Sequence, residues 1–321
     1  MSNFWKTLPK PFFALAPMEG ATDMVFRQIV QKAAPADVYF TEFTNTDSFC
    51  SPKGQASTAA RLRIAKGEGP VIAQIWGTNP EHFAQMAKGI ATMGFAGIDI
   101  NMGCPVKDVT KKGACSALIE TPALAADIIA ATKEGGLPVS VKTRIGFKTQ
   151  KTEEWAGFLL GQDITALTIH ARTAKEMSKV PAHWEEVAKV VQLRNEVAPQ
   201  TVILGNGDVA NRADGLAKAQ ATGADGVMIG RGIFANPFCF ENKPTTHQPA
   251  ELVSLLNLHL DLFDDAWPHH QFAPLKRFFK VYIKGFEGAS EIREQLMQTR
   301  TTAEARAVIA AIPTGVLQGV L

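Results

Sequence analysis

Short apolar runs recur along the chain at intervals of roughly thirty residues, the spacing of a βα unit, with stretches of helical periodicity between them. Eight runs read as strands: PFFALAPM from 11, VYFTEF from 38, VIAQIW from 71, GIDINMG from 97, PVSVKTR from 138, ALTIHAR from 166, TVILGNGD from 201 and GVMIGRG from 226. Most are apolar along their whole length, as expected of parallel strands covered on both faces. The intervening EHFAQMAKGIATMG, PALAADIIAATKEGG, WEEVAKVVQLRNEV and RADGLAKAQATGAD read as helices, and several end in Gly, a common C-terminal stop. Eight such units ending near residue 235 predict an α/β chain whose residues 1–240 form a (β/α)8 TIM barrel. A doubly wound open sheet would alternate in the same way. Its glycine fingerprint should follow the first strand, where this chain runs into PMEGATD instead. After the linker NPFCFENKPTTHQPAEL the pattern stays helical, so a smaller all-α C-terminal domain is expected over 248–321.

The carboxyl ends of the eight runs carry Met18 and Glu19, Glu42, Gln74, Asn101, Lys142 and Arg144, His170 and Arg172, Asn206 and Asp208, and Arg231. A barrel gathers these ends at one mouth, where its active site is built. One polar strand end is ordinarily a solvated terminus; so many converging on one mouth imply a site. Two turns there, GNGDV at 205–209 and GRG at 230–232, have the glycines that let backbone N–H groups approach a phosphate, and Arg231 can add a charge-assisted bond. Lys142 is a candidate Schiff-base nucleophile, phosphate contact or cation beside an anionic cofactor. His170 is a candidate base or cofactor-ring partner. These two do not separate an aldolase from a flavoenzyme.

Composition narrows the class little further. With 46% hydrophobic and 20% charged residues in 321, the chain is globular. A net charge of +2 neither demands nor excludes a nucleic acid, whose binding needs only a local basic patch. The amino end lacks the apolar core of a signal peptide and no stretch has the length of a membrane span, so a cytoplasmic protein is expected; no obligate protein partner is evident, and a monomer is expected. The four cysteines, Cys50, Cys104, Cys115 and Cys239, have no zinc-site spacing, and no metal is expected. Cys104, followed by Pro on a mouth loop, is the reactive candidate. At an ordinary thiol pKa near ~8.5 it would be mostly protonated at neutral pH, ready to donate a proton.

APMEGATD (16–23), TEF (41–43), QIWG (74–77), DINMGCPVKDVTKKGACSAL (99–118), VKTR, HART, GNGDV and MIGRG, in this order, resemble the tRNA dihydrouridine synthase family. YIKGFEGASEIR (282–293) resembles part of that family's C-terminal helical domain. NMGCP is the specific segment; GNGD and GRG suit other flavin barrels too. The resemblance implies bound FMN with NADPH as reductant. It implies that Pro17, Met18 and Glu19 line the flavin, that Gln74 bonds its ring and that Lys142 and His170 hold its pyrimidine edge. Asn206, Gly207, Asp208, Gly230 and Arg231 would hold the ribityl phosphate. The implied reaction reduces the 5,6-double bond of D-loop uridines, with hydride to C6 and a proton from Cys104 to C5. Asn101, Arg144 and Arg172 would contact the uracil, and Lys276, Arg277, Lys280, Lys284 and Arg293 would meet tRNA phosphates. The chain departs from the pattern at Ala171, where Gly is common, at AKEMSKVPAHW, which lacks the usual Gln and Tyr, and at Cys115, where Gly is frequent. The nearest rival is an FMN barrel reducing a free pyrimidine, in the manner of dihydroorotate dehydrogenase; a non-catalytic RNA-binding barrel and a Lys142 aldolase are more distant ones.

Overall fold

The structure is a computed structural model that describes residues 3–267 and 271–318. The chain forms two compact units, Met1–Met24 with Ala36–Gly230 and Val25–Pro35 with Arg231–Leu321.

The first unit carries every strand among the described residues: β1 (Phe12–Leu15), β2 (Tyr39–Phe40), β3 (Thr44–Asn45), β4 (Val71–Trp76), β5 (Gly97–Met102), β6 (Val139–Arg144), β7 (Ala166–His170), β8 (Val202–Asn206) and β9 (Gly226–Ile229). All pair in parallel, in the order β1-β9-β8-β7-β6-β5-β4-β2. A parallel bridge between Ala14 and Val38 joins the two ends, so the eight strands close into the (β/α)8 barrel expected from the apolar runs. The two-residue β3 pairs with β4 off this ring.

The helices are α1 (Met24–Ala33), α2 (Thr46–Cys50), α3 (Gln55–Arg61), α4 (Pro80–Ile90), α5 (Lys107–Thr110), α6 (Pro122–Lys133), α7 (Thr152–Leu160), α8 (Trp184–Val197), α9 (Arg212–Thr222), α10 (Gly232–Ala235), α11 (Pro249–Ala266), α12 (Phe279–Tyr282), α13 (Ala289–Gln298), α14 (Thr302–Ala310) and α15 (Thr314–Leu317). Local chemistry sets their ends. Asn79 caps Glu81 N at 3.0 Å ahead of Pro80, and Asn211 caps Asp214 N at 3.0 Å. Gly223 closes α9 in the left-handed conformation that glycine adopts without a Cβ clash.

Within the barrel, residues two apart share a face. Phe12, Ala14, Ala16, Val38, Phe40, Ile72, Ala166, Val202, Leu204 and Met228 form one apolar cluster inside it, with Trp5 at its floor. This packing fills the lower interior, so polar side chains at the next inward positions lie above it, toward the strand carboxyl ends.

In the second unit Phe26 stacks on Phe278 with ring centroids 4.7 Å apart, beside His259 and Tyr282. His259 Nδ1 and the Tyr282 hydroxyl are hydrogen-bonded at 2.8 Å, and burial pushes the histidine down to about 3, so it is a neutral core residue. No strand follows Ile229 among the described residues. The junction expected from the linker, at 240–248, lies inside this unit, which also takes up Val25–Pro35 from between the first two barrel strands. None of the described helices is long and apolar enough to cross a membrane.

Candidate active site

Parallel register sets Gln74 beside Asp99, Asp99 beside Ser140, Asn101 beside Lys142, Arg144 beside His170 and His170 beside Asn206. The inward positions toward the strand carboxyl ends are therefore polar, above the apolar cluster. Asp99, fully buried, accepts from Gln74 Nε2 at 2.7 Å and from Ser140 Oγ at 2.6 Å. Gln74 Oε1 accepts from Asn101 Nδ2 at 3.0 Å, and Asn101 Oδ1 accepts from the N–H groups of Gly103 and Cys104, both at 3.0 Å. An ionised carboxylate only accepts, so Asp99 fixes which way both amides point, and the chain of bonds ends on the backbone of Cys104. Burial raises Asp99 to about 6, against the opposing donors Ser140 and Gln74 and the Lys142 charge.

Cys104 is half-buried on the loop after β5. Arg144 Nε donates to Gly103 O at 2.7 Å, and Ser116 Oγ donates to Cys104 O at 2.9 Å, so the loop is pinned from both sides. Its side chain packs against the buried cluster of Val109, Ala114 and Cys115, with the Cys115 thiol as its neighbour. That neighbour is the largest influence on Cys104; burial opposes it, while the backbone of Val106 and the charges of Arg144 and Lys142 assist, and the thiol is lowered to about 6. Against the ordinary thiol value expected from the sequence, the neighbouring Cys115 thiol and two cations shift Cys104 toward its thiolate. Cys115, buried, is pushed up by Cys104 and by burial. Cys115 also holds a left-handed φ of 55°, a conformation costing a non-glycine residue about 1–2 kcal/mol.

Lys142 Nζ reaches Asn206 Oδ1 at 3.2 Å, and Asn206 Nδ2 donates to Met228 O at 2.9 Å. Burial, together with the Arg144 charge, lowers Lys142 to about 8 against the pull of Asp99 and Cys104. It is a cation short of full anionic compensation, suited to an anionic ligand. The turn after β8 is close-packed: Trp184 Nε1 donates to Gly207 O at 2.8 Å, and a Cβ on Gly207, at φ 127°, would lie 2.9 Å from Ala182 Cβ. Asp208 turns its carboxylate to Arg172 Nη2 and to Ala182 N at 3.1 Å. At Gly230 a Cβ would stand in ordinary contact with Ala16 Cβ at 3.6 Å and Met18 Sδ at 3.9 Å. Arg231 follows, exposed, at the start of α10. Pro17 and Met18 are half-buried at the mouth, Met18 N donating to Thr22 Oγ1 at 2.9 Å. Glu19 is held bidentately by Arg61 at 2.7 and 2.6 Å, while Glu42 accepts from Gly20 N at 2.5 Å and is raised, mainly by burial.

The barrel thus joins Gln74, Asn101, the Cys104 loop and Arg144 in one bonded set, Lys142 to Asn206, and His170 and Asp208 to Arg172, with Gly207 held by Trp184. Asn101, Arg144 and Arg172, expected at the substrate, have most of their polar groups engaged within the chain. Arg144 Nη1 donates to Thr173 O at 3.0 Å and Met177 O at 2.9 Å, and Arg172 Nε donates to Val180 O at 2.6 Å with Nη1 3.3 Å from His170 Nε2. These contacts fix the mouth loops. Asp99 and Ser140 were missed in the sequence, although Asp99 shares the inward period of Asn101 in GIDINMG.

The family model of dihydrouridine synthases matches residues 14–316. The chain belongs to the dihydrouridine synthase family. Among its relatives in this family, a protein of Staphylococcus epidermidis named a probable tRNA-dihydrouridine synthase is 54% identical over 310 residues, covering 96% of this chain and 95% of its own. A Staphylococcus aureus protein of the same name is 54% identical over 310 residues, 96% of this chain and 94% of its own. The probable tRNA-dihydrouridine synthase 2 of Bacillus subtilis is 51% identical over 321 residues, 99% of each chain. For a dihydrouridine synthase family member, the donor set fits a flavin mononucleotide: a buried lysine for an anionic ring edge, an oriented glutamine amide, and glycine turns whose backbone N–H groups can approach a phosphate.

Proposed function

We propose that this protein is a tRNA-dihydrouridine synthase that uses FMN and NADPH to reduce D-loop uridines. The observation that carries the reading is the union, at one barrel mouth, of a reactive thiol with an anion-seeking lysine and an oriented amide, in a chain that belongs to the dihydrouridine synthase family. Lys142 and His170 would hold the pyrimidine edge of the isoalloxazine and Gln74 its ring. Pro17, Met18 and Glu19 would line it. The backbone of Asn206, Gly207, Asp208 and Gly230, with Arg231, would take the phosphate. The carboxylate of Asp208 repels a phosphate, so its part there is its N–H while Arg172 holds the side chain. When bound, FMN supplies hydride for C6 of the uracil, drawn in turn from NADPH.

Cys104 holds the proton for C5. Its lowered value reduces the share of the acid form, and Lys142 is one cause. An anion offsetting Lys142 removes part of that stabilisation and moves Cys104 back toward protonation. Asn101 and Arg144 keep the Cys104 loop in place and, with Arg172, border the uracil. The target base leaves its stack to enter, at a cost of about a few kcal/mol. In the second unit Lys276, Lys280 and Arg293 line a groove of about 370 Å³ with Phe279 and Met297, a platform for RNA phosphates. Lys276 and Arg293 are themselves braced on Met297 O and Ile283 O, at 2.7 and 2.8 Å.

The test is to incubate the protein with FMN, NADPH and an unmodified tRNA transcript, then quantify dihydrouridine in the nucleoside digest. Dihydrouridine in tRNA with none formed from free uracil supports the reading. Reduction of free pyrimidine alone would restore the small-substrate flavin barrel.

A further inference from the structure

The geometry points to Cys104 and Cys115 as a reversible redox pair, in which peroxide oxidises Cys104 and Cys115 closes a disulfide upon it. Cys104 packs against the buried cluster that holds Cys115, and Ser116 binds Cys104 O through both its N–H, at 3.3 Å, and its hydroxyl, at 2.9 Å. The segments carrying the two sulfurs are therefore tied together next to the thiols themselves. Cys115 holds its place with a left-handed backbone, φ 55°, that glycine would adopt without strain. A non-glycine residue persists in that conformation only where the surrounding structure holds it there.

The two thiols differ as an attacking and a resolving cysteine must. Cys104 is half-buried at the mouth and thiolate-prone, the form that reacts with peroxide. Cys115 is buried, protonated and inaccessible to a first oxidant. The remaining cysteines lack this character. Cys50 donates to His82 O at 3.7 Å and is raised by burial and Asp47, while burial pushes Cys239 up to about 12.

The chemistry balances in two steps. The Cys104 thiolate attacks hydrogen peroxide; an S–O bond forms, the O–O bond breaks, and hydroxide leaves to become water, giving a sulfenic acid. The Cys115 sulfur then attacks Cys104 Sγ; the S–S bond forms, the S–O bond breaks, and the oxygen leaves as water with the Cys115 proton. Two thiols are oxidised and one peroxide is reduced to two waters. The first step also prepares the second. Once Cys104 carries no negative charge, the charge that holds the Cys115 proton is gone, while Lys142 and Arg144 remain nearby to favour its thiolate. The disulfide takes the mouth thiol out of service in a form that a dithiol restores. It also diverts it from sulfinic and sulfonic acids, which are irreversible.

The experiment oxidises the flavin-loaded protein with hydrogen peroxide and maps its cysteines by mass spectrometry before and after dithiothreitol. Wild type is expected to yield a peptide pair linked through Cys104 and Cys115, lighter by two hydrogens and fully reversed by dithiothreitol, with Cys50 and Cys239 unlinked. Cys115→Gly, which suits the local backbone, and Cys115→Ser, which keeps the Cβ, are expected to show no link and to carry Cys104 on to the irreversible acids. Irreversible oxidation of Cys104 in wild type at the rate of both variants, with no linked peptide, overturns the proposal. The readout uses neither tRNA nor turnover, so its failure is separate from any failure of the proposed reaction.

Discussion

Replacing Asp99 with Asn should make the protein more stable at neutral pH and leave it unchanged in acid. Asp99 is fully buried and rises from an ordinary 3.8 to about 6. A carboxyl whose folded value is raised contributes its stability below the unfolded value and loses it as pH rises through the folded one. The window is therefore about pH 4 to 6, and two units at about 1.36 kcal/mol each give about 3 kcal/mol. Asn fits the same contacts: its oxygen can accept from Gln74 Nε2 and its amide can donate to Ser140 Oγ, whose hydrogen can turn to Ile98 O, 3.5 Å away. Urea unfolding of flavin-free wild type and Asp99→Asn across this range should show the stability difference moving in favour of Asn by about 3 kcal/mol, because other titrations cancel between the two proteins. Asp99→Leu should instead be destabilising at every pH, leaving the buried Gln74 amide without its acceptor at about 1–3 kcal/mol. A pH-independent difference between wild type and Asp99→Asn would refute the buried-carboxylate reasoning.

Cys104→Ala should retain flavin and its reduction by NADPH but lose dihydrouridine formation; normal turnover would remove the acid role. In single-turnover assays of the reduced protein with tRNA, the wild-type rate should fall as pH rises above the Cys104 value, about tenfold per unit, since only the acid form delivers a proton; a rate that climbs with pH contradicts this. Lys142→Met should weaken FMN retention by about 10- to 100-fold, the loss of one charge-assisted bond of about 1.5–3 kcal/mol, as measured by flavin fluorescence on dilution. Neutralising Lys276, Lys280 and Arg293 together should flatten the salt dependence of tRNA affinity by about one slope unit per lost phosphate contact, and an unchanged slope would move the RNA surface elsewhere.

The barrel was legible because most of its strands are runs of four to six mainly apolar residues, apart from the shorter β2, with polar residues at or just past the ends of several that hydrophobic burial alone does not explain. β3 was not, since Thr44 and Asn45 form a two-residue pairing with no apolar run to announce it. Nor was the membership of Val25–Pro35 in the second unit, because helical periodicity shows that a helix has an apolar face without showing what covers it. At the site, residue types at strand ends were enough to locate Cys104, Lys142 and Asn206 together. The network beneath was hidden, because Asp99 and Ser140 lie within runs read as apolar strands. The lowered Cys104 thiol follows from Cys115, eleven positions away in sequence and brought back by the loop through α5. Arg144 and Arg172 illustrate a further limit: sequence places a cation at a mouth but does not tell whether backbone carbonyls already hold it.

The most direct test of the central claim is an anaerobic visible spectrum of the FMN-loaded protein, first with NADPH and then with unmodified tRNA. Bleaching of the flavin bands by NADPH and their return on adding tRNA, with dihydrouridine appearing in equal amount, is the expected result. Bleached flavin that tRNA does not reoxidise, or a protein that retains no flavin at all, would contradict it.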